Sequence, residues 1–241
     1  MIRVLIFSFL LIAIAGTSCR EIFGKRIRGN GHITRQPRQE SGFGGVAVSG
    51  NIDVYLKTDS TTSVSIETDE NLQQYVTTTV SGGILHVRYK KGANPKPSRG
   101  VNVYVSAPSL TTLKASGACE LNSESRINAT EKLHITLSGS SSSKLDVNAP
   151  EIEASLSGAC TLEIKGETRA LLAKGAGSTD IRAFELMAEN AHIRISGAGD
   201  AEVSASVKLD VKVTGAGSVR YRGNPQVSQH VTGSGSVRRV E

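Results

Sequence analysis

Acidic residues recur at similar intervals in the second half of the sequence. Glu163, Asp180 and Glu202 each lie five residues after a glycine, and the cations Lys144 and Arg220 hold that position before and after them. Carboxylate oxygens are hard ligands that suit Ca²⁺, so these three acids define one candidate cation or ligand ladder. The alternative, which we favour because cations flank the acids, is a charged face in contact with solvent.

Two cysteines occupy equivalent positions, two residues after a glycine. Cys119 and Cys160 have this position, and Ser141 has it in the repeat between them. If each repeat is one coil of a stacked sheet, two coils place their Cα atoms about 9.6 Å apart. A disulfide needs less than about 7 Å, so the spacing predicts two free thiols. No histidine stacks beside either cysteine, which argues against thiol catalysis.

The histidines show no spacing typical of a metal site. His134 and His192 share a repeat position, but three coils, or about 14 Å, separate them. No His-x-x-x-His pair occurs, and both the dinucleotide fingerprint and the P-loop are absent. The sequence therefore predicts no metal, no cofactor and no catalytic residue.

A repeat underlies all of these positions. Ser-Gly-Ala-like tripeptides recur with glycine-to-glycine spacings of 22, 19, 17, 22, 18 and 18 residues. Apolar residues alternate on both sides of each glycine, which is typical of strands with one buried face. The pattern predicts an all-β, parallel β-helix-like solenoid with coils of about 17–22 residues. The predicted turn glycines are Gly50, Gly117, Gly139, Gly158, Gly175, Gly197, Gly215 and Gly233.

The chain divides into three predicted regions. Residues 1–18 read as a signal peptide, and the small residues before Cys19 resemble a bacterial lipobox, which implies acylation of Cys19. Residues 19–42 form a basic tether, expected to be flexible, whose cations suit either anionic lipid head groups or solvent. Residues 43–241 form the solenoid, regular over 115–241 and less regular over 43–114. In that N-terminal part we expect a helical turn after Asp69, a hairpin about Gly82 and an exposed loop over 90–99.

Composition narrows the function classes further. Aromatic residues make up 4% of the chain and tryptophan is absent, which argues against an aromatic-rich core. The 28 Lys and Arg exceed the 22 Asp and Glu by only six, too few to indicate nucleic acid binding.

Particular motifs resemble a known family. Besides the serial Ser-Gly-Ala turns they are Phe43-x-x-Val46-x-Val48-Ser49-Gly50-Asn51-Ile52-Asp53-Val54, Asp69-Glu70-Asn71-Leu72 and Ile84-Leu85-x-Val87. Together they are similar to the head GIN domain of auto-transporter adhesins, a domain-of-unknown-function family of bacterial envelope lipoproteins. The resemblance covers residues 43–241 and implies a parallel β-helix-like fold and an envelope location, with no catalytic residue to carry over.

Three functions remain open. The first is a non-enzymatic lipoprotein of the cell envelope, outer-membrane and either periplasmic or surface-exposed, that binds a glycan or protein through its solenoid surface. The second is a polysaccharide lyase or hydrolase, which requires a groove with two carboxylates and a basic residue; Asp180 beside Arg182 is the one close acid–arginine pair that the sequence suggests. The third is a structural envelope protein. End-to-end self-association through the last coil is also expected.

Overall fold

The computed structural model describes residues 25–241. The predicted signal peptide and Cys19 lie outside the described residues. Within this range 71% of the residues lie in β-strands, and no described helix is both long and apolar enough to cross a membrane.

Twenty strands and one 3-10 helix, Glu70–Tyr75, follow one another along the described chain. The strands are β1 (Lys25–Arg28), β2 (Ile33–Arg38), β3 (Gly45–Gly50), β4 (Asp53–Thr58), β5 (Ser63–Asp69), β6 (Val76–Ser81), β7 (Ile84–Tyr89), β8 (Ala93–Lys96), β9 (Asn102–Ala107), β10 (Thr112–Gly117), β11 (Glu120–Ser123), β12 (Ile127–Asn128), β13 (Leu133–Gly139), β14 (Ser142–Gly158), β15 (Thr161–Gly177), β16 (Asp180–Gly197), β17 (Asp200–Gly215), β18 (Ser218–Arg222), β19 (Gln226–Gly233) and β20 (Ser236–Arg239).

Parallel pairing stacks these strands into a solenoid of about seven turns, as the sequence predicts. One side consists of the segments that lead into the turn glycines, from β3 through β10 and β13 to the second halves of β14–β17 and then β19. The other, which we call the second side, consists of the segments that follow the glycines, from β4 through β11 to the first halves of β14–β17, β18 and β20.

The core lies between the two sides and consists of ladders of aliphatic residues. Ile195 and Val203, which alternation places inside, are 2% and 0% exposed. One ladder pairs Leu137 with Leu156 and continues to Ile195 and Val213. Because each coil covers the ladder of the one before it, apolar burial and backbone hydrogen bonds stabilise the same interface.

Glycine is required at the corner between the two sides. Gly117, for example, has φ +105°, and a Cβ atom there would lie 2.4 Å from the carbonyl oxygen of Gly50 in the preceding coil. The same close approach recurs at every later corner, with distances of 2.3–2.7 Å. A side chain at these positions would strain the backbone and separate adjacent coils.

The prediction is wrong for one of the eight turn glycines. Gly158 pairs with Gly177, which pairs with Gly197, so Gly177 is the corner and Gly175 is not. Gly175 lies two residues earlier, within the apolar ladder that contains Leu156 and Ile195. A Cβ atom there would lie 2.2 Å from Oγ1 of the buried Thr179, so Gly175 makes room for that side chain.

Antiparallel strands complete the N-terminal end. The 3-10 helix begins after Asp69, and β6 and β7 form the expected hairpin. The prediction of a flexible tether is wrong for the described part of that segment, because β1 pairs with β8 and β2 pairs with β5. The exposed loop predicted over 90–99 therefore contains a strand. These pairings join segments distant in sequence, which local composition does not reveal.

A buried carboxylate holds this end together. Asp69 is fully buried and accepts hydrogen bonds from the backbone N–H of Gly31 at 2.7 Å and of Ser98 at 2.8 Å. The Ser98 hydroxyl donates a third bond at 2.7 Å. Burial raises the pKa of Asp69, but these three bonds outweigh it, and the net pKa lies below its ordinary value.

Candidate functional site

An open groove of about 720 Å³ runs across several coils on the second side. Its walls are side chains of β4, β11 and the first halves of β14–β17, together with the loop 124–126 and Arg222 of β18. Because side chains alternate along each strand, these positions are the polar counterpart of the buried ladders. Tyr55 lies at one end and Phe184 with Arg222 at the other. Four coil steps separate Tyr55 from Arg182, the neighbour of Phe184, or about 19 Å.

The central column of the groove alternates in charge. Lys144 pairs with Glu163, which pairs with Arg182, then Glu202, then Arg220. Lys144 Nζ lies 2.9 Å from Glu163 Oε1, and an Arg220 nitrogen lies 2.6 Å from Glu202 Oε1. Each acid therefore has a cation in an adjacent coil.

The predicted ladder of Glu163, Asp180 and Glu202 is therefore not formed. With Gly177 as the corner, Arg182 holds the position between the two glutamates, and Asp180 lies in a neighbouring column. Asp180 instead pairs with Arg182, as the sequence suggests, at 2.6 Å. Among residues 25–241, no group of three His, Cys, Asp or Glu is placed to hold a metal ion.

Phe184 reaches the groove through a bulge in β16. Ala183 pairs with Val203 and Met187 with Ser204, so three residues of β16 oppose no residue of β17. Bulges redirect side chains away from the regular pleat. The guanidinium carbon of Arg222 lies 4.3 Å from the centre of the Phe184 ring, a cation–π contact. The Ser204 hydroxyl donates a hydrogen bond to the Phe184 carbonyl at 2.7 Å, which fixes the bulge.

Three cations lie around this ring. Arg182 precedes Phe184 by two residues on the same strand, Lys165 lies in the preceding coil, and Arg222 covers the ring. The neighbouring acids that also line the groove are Glu185 and Glu202, and Arg182 is paired with Asp180. Farther along, Arg126 Nε lies 2.8 Å from Asp146, which is 3.9 Å from Lys165. Near Phe184 the groove therefore suits a ligand that has a flat apolar face and an acidic group.

A second aromatic cluster marks the other end. The rings of Tyr55 and Tyr104 stack with centroids 5.1 Å apart, and Arg35 lies 3.7 Å from the centre of the Tyr104 ring. Burial, followed by the charge of Asp53, raises the pKa of Tyr55, so its hydroxyl stays protonated and can donate a hydrogen bond.

Sequence reasoning finds part of this groove. It predicts Glu163 and Glu202 on one outward face, but it does not predict that Phe184, Tyr55, Lys165 and Arg222 line the groove with them. Tyr55 pairs with Tyr104, which lies 49 residues later in the sequence. Local sequence patterns do not reveal such a contact. The placement of Arg222 over Phe184 depends on the bulge, which breaks the repeat that could have aligned the two residues.

The cysteines and histidines lie where the repeat predicts. Cys119 and Cys160 are buried free thiols, with Ser141 at the equivalent position between them. Their sulfurs donate to the carbonyls of Ser116 and Ser157 at 3.4 and 3.3 Å. Both serve as small core residues with a satisfied donor.

His134 and His192 likewise lie three coils apart on the solenoid surface. His134 faces Glu153 at 3.7 Å and His192 faces Asp210 at 3.4 Å. Neither lines the groove.

A family model described as "Putative auto-transporter adhesin, head GIN domain" matches residues 42–225, which is most of the solenoid and includes the whole groove. The chain belongs to this family. No curated protein matches it.

Solved structures share the head GIN fold seen here. A putative adhesin from Bacteroides fragilis has a TM-score of 0.83 at 17% identity, covering 89% of this chain and 100% of that one. A putative lipid binding protein from Parabacteroides distasonis has a TM-score of 0.74 at 24% identity, covering 90% and 100%. A putative adhesin from Parabacteroides merdae has a TM-score of 0.71 at 24% identity, covering 90% and 99%.

Proposed function

We propose that this head GIN domain is a non-enzymatic binding module of the bacterial cell envelope and that its groove binds acidic glycans. The names of the family and of the similar structures describe adhesion or lipid binding and support a binding role. The glycan is proposed from the groove itself. An acidic sugar presents both an apolar ring face and a carboxylate, and Phe184 with its neighbouring cations suits both.

The arrangement of Phe184 and Arg222 carries this proposal. The half-buried ring of Phe184, which a bulge turns out of the regular sheet, lies outside the buried core, whereas the same bulge buries Leu186. A sugar ring stacked on Phe184 would lie within reach of Arg182, Lys165 and Arg222, whose side chains pair with carboxylates through charge-assisted hydrogen bonds. The length of the groove suits several sugar units rather than one.

Lipid attachment at Cys19 is the second part of the proposal. Acylation would hold the solenoid at a membrane, as in an outer-membrane lipoprotein, with the groove available to periplasmic or external glycans. Metabolic labelling with a fatty acid tests it. We expect label in the wild-type chain and none in Cys19→Ala; equal labelling of both would contradict acylation at this residue.

Glycan binding is tested with the soluble fragment 20–241, which retains all contacts described above. We expect saturable binding to oligosaccharides that contain uronic acids and weaker binding to neutral ones of the same length. Phe184→Ala should abolish the preference, whereas Val207→Ala, which removes an exposed apolar residue outside the groove, should not. Absence of binding to every glycan would favour the structural envelope protein.

A polysaccharide-acting enzyme is the second candidate, because the groove meets its stated requirement. Glu163 and Glu202 lie in one groove with Lys144 and Arg182. Glu163 and Glu202 each form an ion pair with a cation, so neither is a free carboxylate in this groove. Incubating the fragment with the glycans that it binds and measuring new reducing ends distinguishes the two. Release of fragments would replace the binding proposal with an enzymatic one.

A further inference from the structure

A basic surface forms at the N-terminal end, away from the groove. The parallel pairing of β1 with β8 brings two distant segments side by side, with Arg28 directly opposite Lys96. The backbone N–H of Gly29 extends this pairing by donating to the Lys96 carbonyl at 2.9 Å. We call this surface the basic patch. Its six exposed cations are Arg26, Arg28, Lys90, Lys91, Lys96 and Arg99.

One exposed acid lies beside these charges: Glu70, which precedes Asn71 at the Arg28 carbonyl and pairs with His32 at 3.1 Å. Segments 25–39 and 90–101 contain neither Asp nor Glu. Within the described residues, none of the six cations forms an ion pair, although such pairs are frequent elsewhere on the solenoid. Asp69 lies beneath the patch, but it is buried and its oxygens are bonded to Gly31 and Ser98. The patch therefore presents an excess of positive charge: Arg26, Arg28 and Lys96 lie on the two-stranded sheet, and the other three cations lie in the segments that flank β8.

We infer that the basic patch docks on the anionic phospholipid head groups of the membrane to which the chain is anchored. This inference rests on the proposed acylation of Cys19 for its location. Six chain steps separate Cys19 from Lys25, which limits their separation to about 20 Å. Segment 90–99, which lies far from Cys19 in sequence, is thereby held near the same bilayer by its pairing with β1.

Docking would fix the direction of the solenoid. Each cation close to an anionic bilayer contributes roughly 1 kcal/mol, and the attraction decays within a Debye length of about 10 Å. The pairing of β1 with β8 holds Arg26, Arg28 and Lys96 together, and the bonds of Asp69 to Ser98 fix the chain next to Arg99, so the charges stay close to one another as those of a flexible tether would not. The first coils would then lie near the membrane, and Phe184 with Arg222 would lie farther from it.

Vesicle sedimentation tests the inference with the unlipidated fragment 20–241, so the result is independent of acylation. We expect binding to vesicles of phosphatidylcholine with phosphatidylglycerol, none to phosphatidylcholine alone, and loss of binding at high salt. Lys90→Gln with Lys91→Gln should weaken the partition coefficient about 30-fold, since two contributions of roughly 1 kcal/mol are removed.

Lys208→Gln with Lys212→Gln is the matched control, because it removes two exposed, unpaired lysines of β17. We expect this control to leave vesicle binding unchanged. Equal weakening by both pairs would overturn the inference in favour of general charge attraction. Failure to bind anionic vesicles, or binding to heparin alone, would also overturn it, whereas fatty-acid labelling of Cys19 would be unaffected.

Discussion

Arg222 covers the ring of Phe184 at 4.3 Å, although the two residues belong to coils that are not adjacent. Ser204 occupies the coil between them, and its small side chain leaves space for the contact. The pair forms one end of a groove whose central contacts are ionic. Phe184 and Arg222 together therefore offer a ligand an apolar ring face and a positive charge at the same place.

Substitutions in the β16 bulge and at Arg222 should show that the residues proposed to bind ligand contribute less to stability than the buried residue beside them. Phe184→Ala and Arg222→Gln remove one half-exposed contact and should lower the free energy of unfolding by about 1 kcal/mol or less. Leu186→Ala, in the same bulge but fully buried, should lower it by about 2–4 kcal/mol. Urea denaturation of the three variants checks this. A loss at Phe184 as large as that at Leu186 would mean that the ring is a core residue.

The corner register predicts unequal effects of adding a methyl group. Gly177→Ala should lower the free energy of unfolding by about 3 kcal/mol, because φ is +103° and the new Cβ would lie 2.7 Å from the Gly158 carbonyl oxygen. Gly44→Ala is the control, since φ there is not positive and the nearest atom would be 3.9 Å away. Thermal melts of both variants measure the difference. A tolerated Gly177→Ala would contradict the register described here.

The alternation of apolar and polar residues and the glycine repeat predict much of the fold, but they place one corner two residues too early. Residues 174–176 match the repeated tripeptide, but Gly177 makes the corner. A register shift of two residues leaves each side chain on the same face, because side chains alternate with period two. Asp180 therefore faces outward, as predicted, but it lies in the column next to the one that contains Glu163 and Glu202. The face of a residue is thus encoded locally, whereas its partner depends on which glycine fits against the previous coil.

The stability contribution of Asp69 should depend on pH. Its folded pKa lies below the ordinary value, so its contribution is complete above about pH 4 and is lost as the pH falls through the folded pKa. Asp69→Asn should therefore lower stability by about 1–3 kcal/mol at neutral pH, with the difference from wild type shrinking in acid.

Asp59→Asn is the control for this measurement. Hydrogen bonding to Lys57 lowers the pKa of Asp59 to about 2, but the pair lies at the surface and should contribute little to stability. Unfolding is followed by circular dichroism between neutral and acidic pH. If wild type and Asp69→Asn differed in free energy of unfolding by the same amount at every pH, the stabilising role of the ionised Asp69 carboxylate would be contradicted.

The buried thiols should be unreactive in the folded fragment. Cys119 and Cys160 are both buried, and burial raises the pKa of Cys119, which reduces its thiolate fraction. A thiol reagent should label neither residue in buffer and both in denaturant. Oxidation should produce no disulfide between them, because Ser141 separates the two in the stack. Rapid labelling under native conditions would contradict this packing.

Calorimetric titration of fragment 20–241 with a uronic-acid oligosaccharide measures whether Phe184 and the cations around it bind an acidic glycan. We predict saturable binding by the wild type and by Val207→Ala, and affinity at least about 10-fold lower for Phe184→Ala. Equal affinity of wild type and Phe184→Ala would show that the ligand lies elsewhere on the solenoid and would contradict the proposed site.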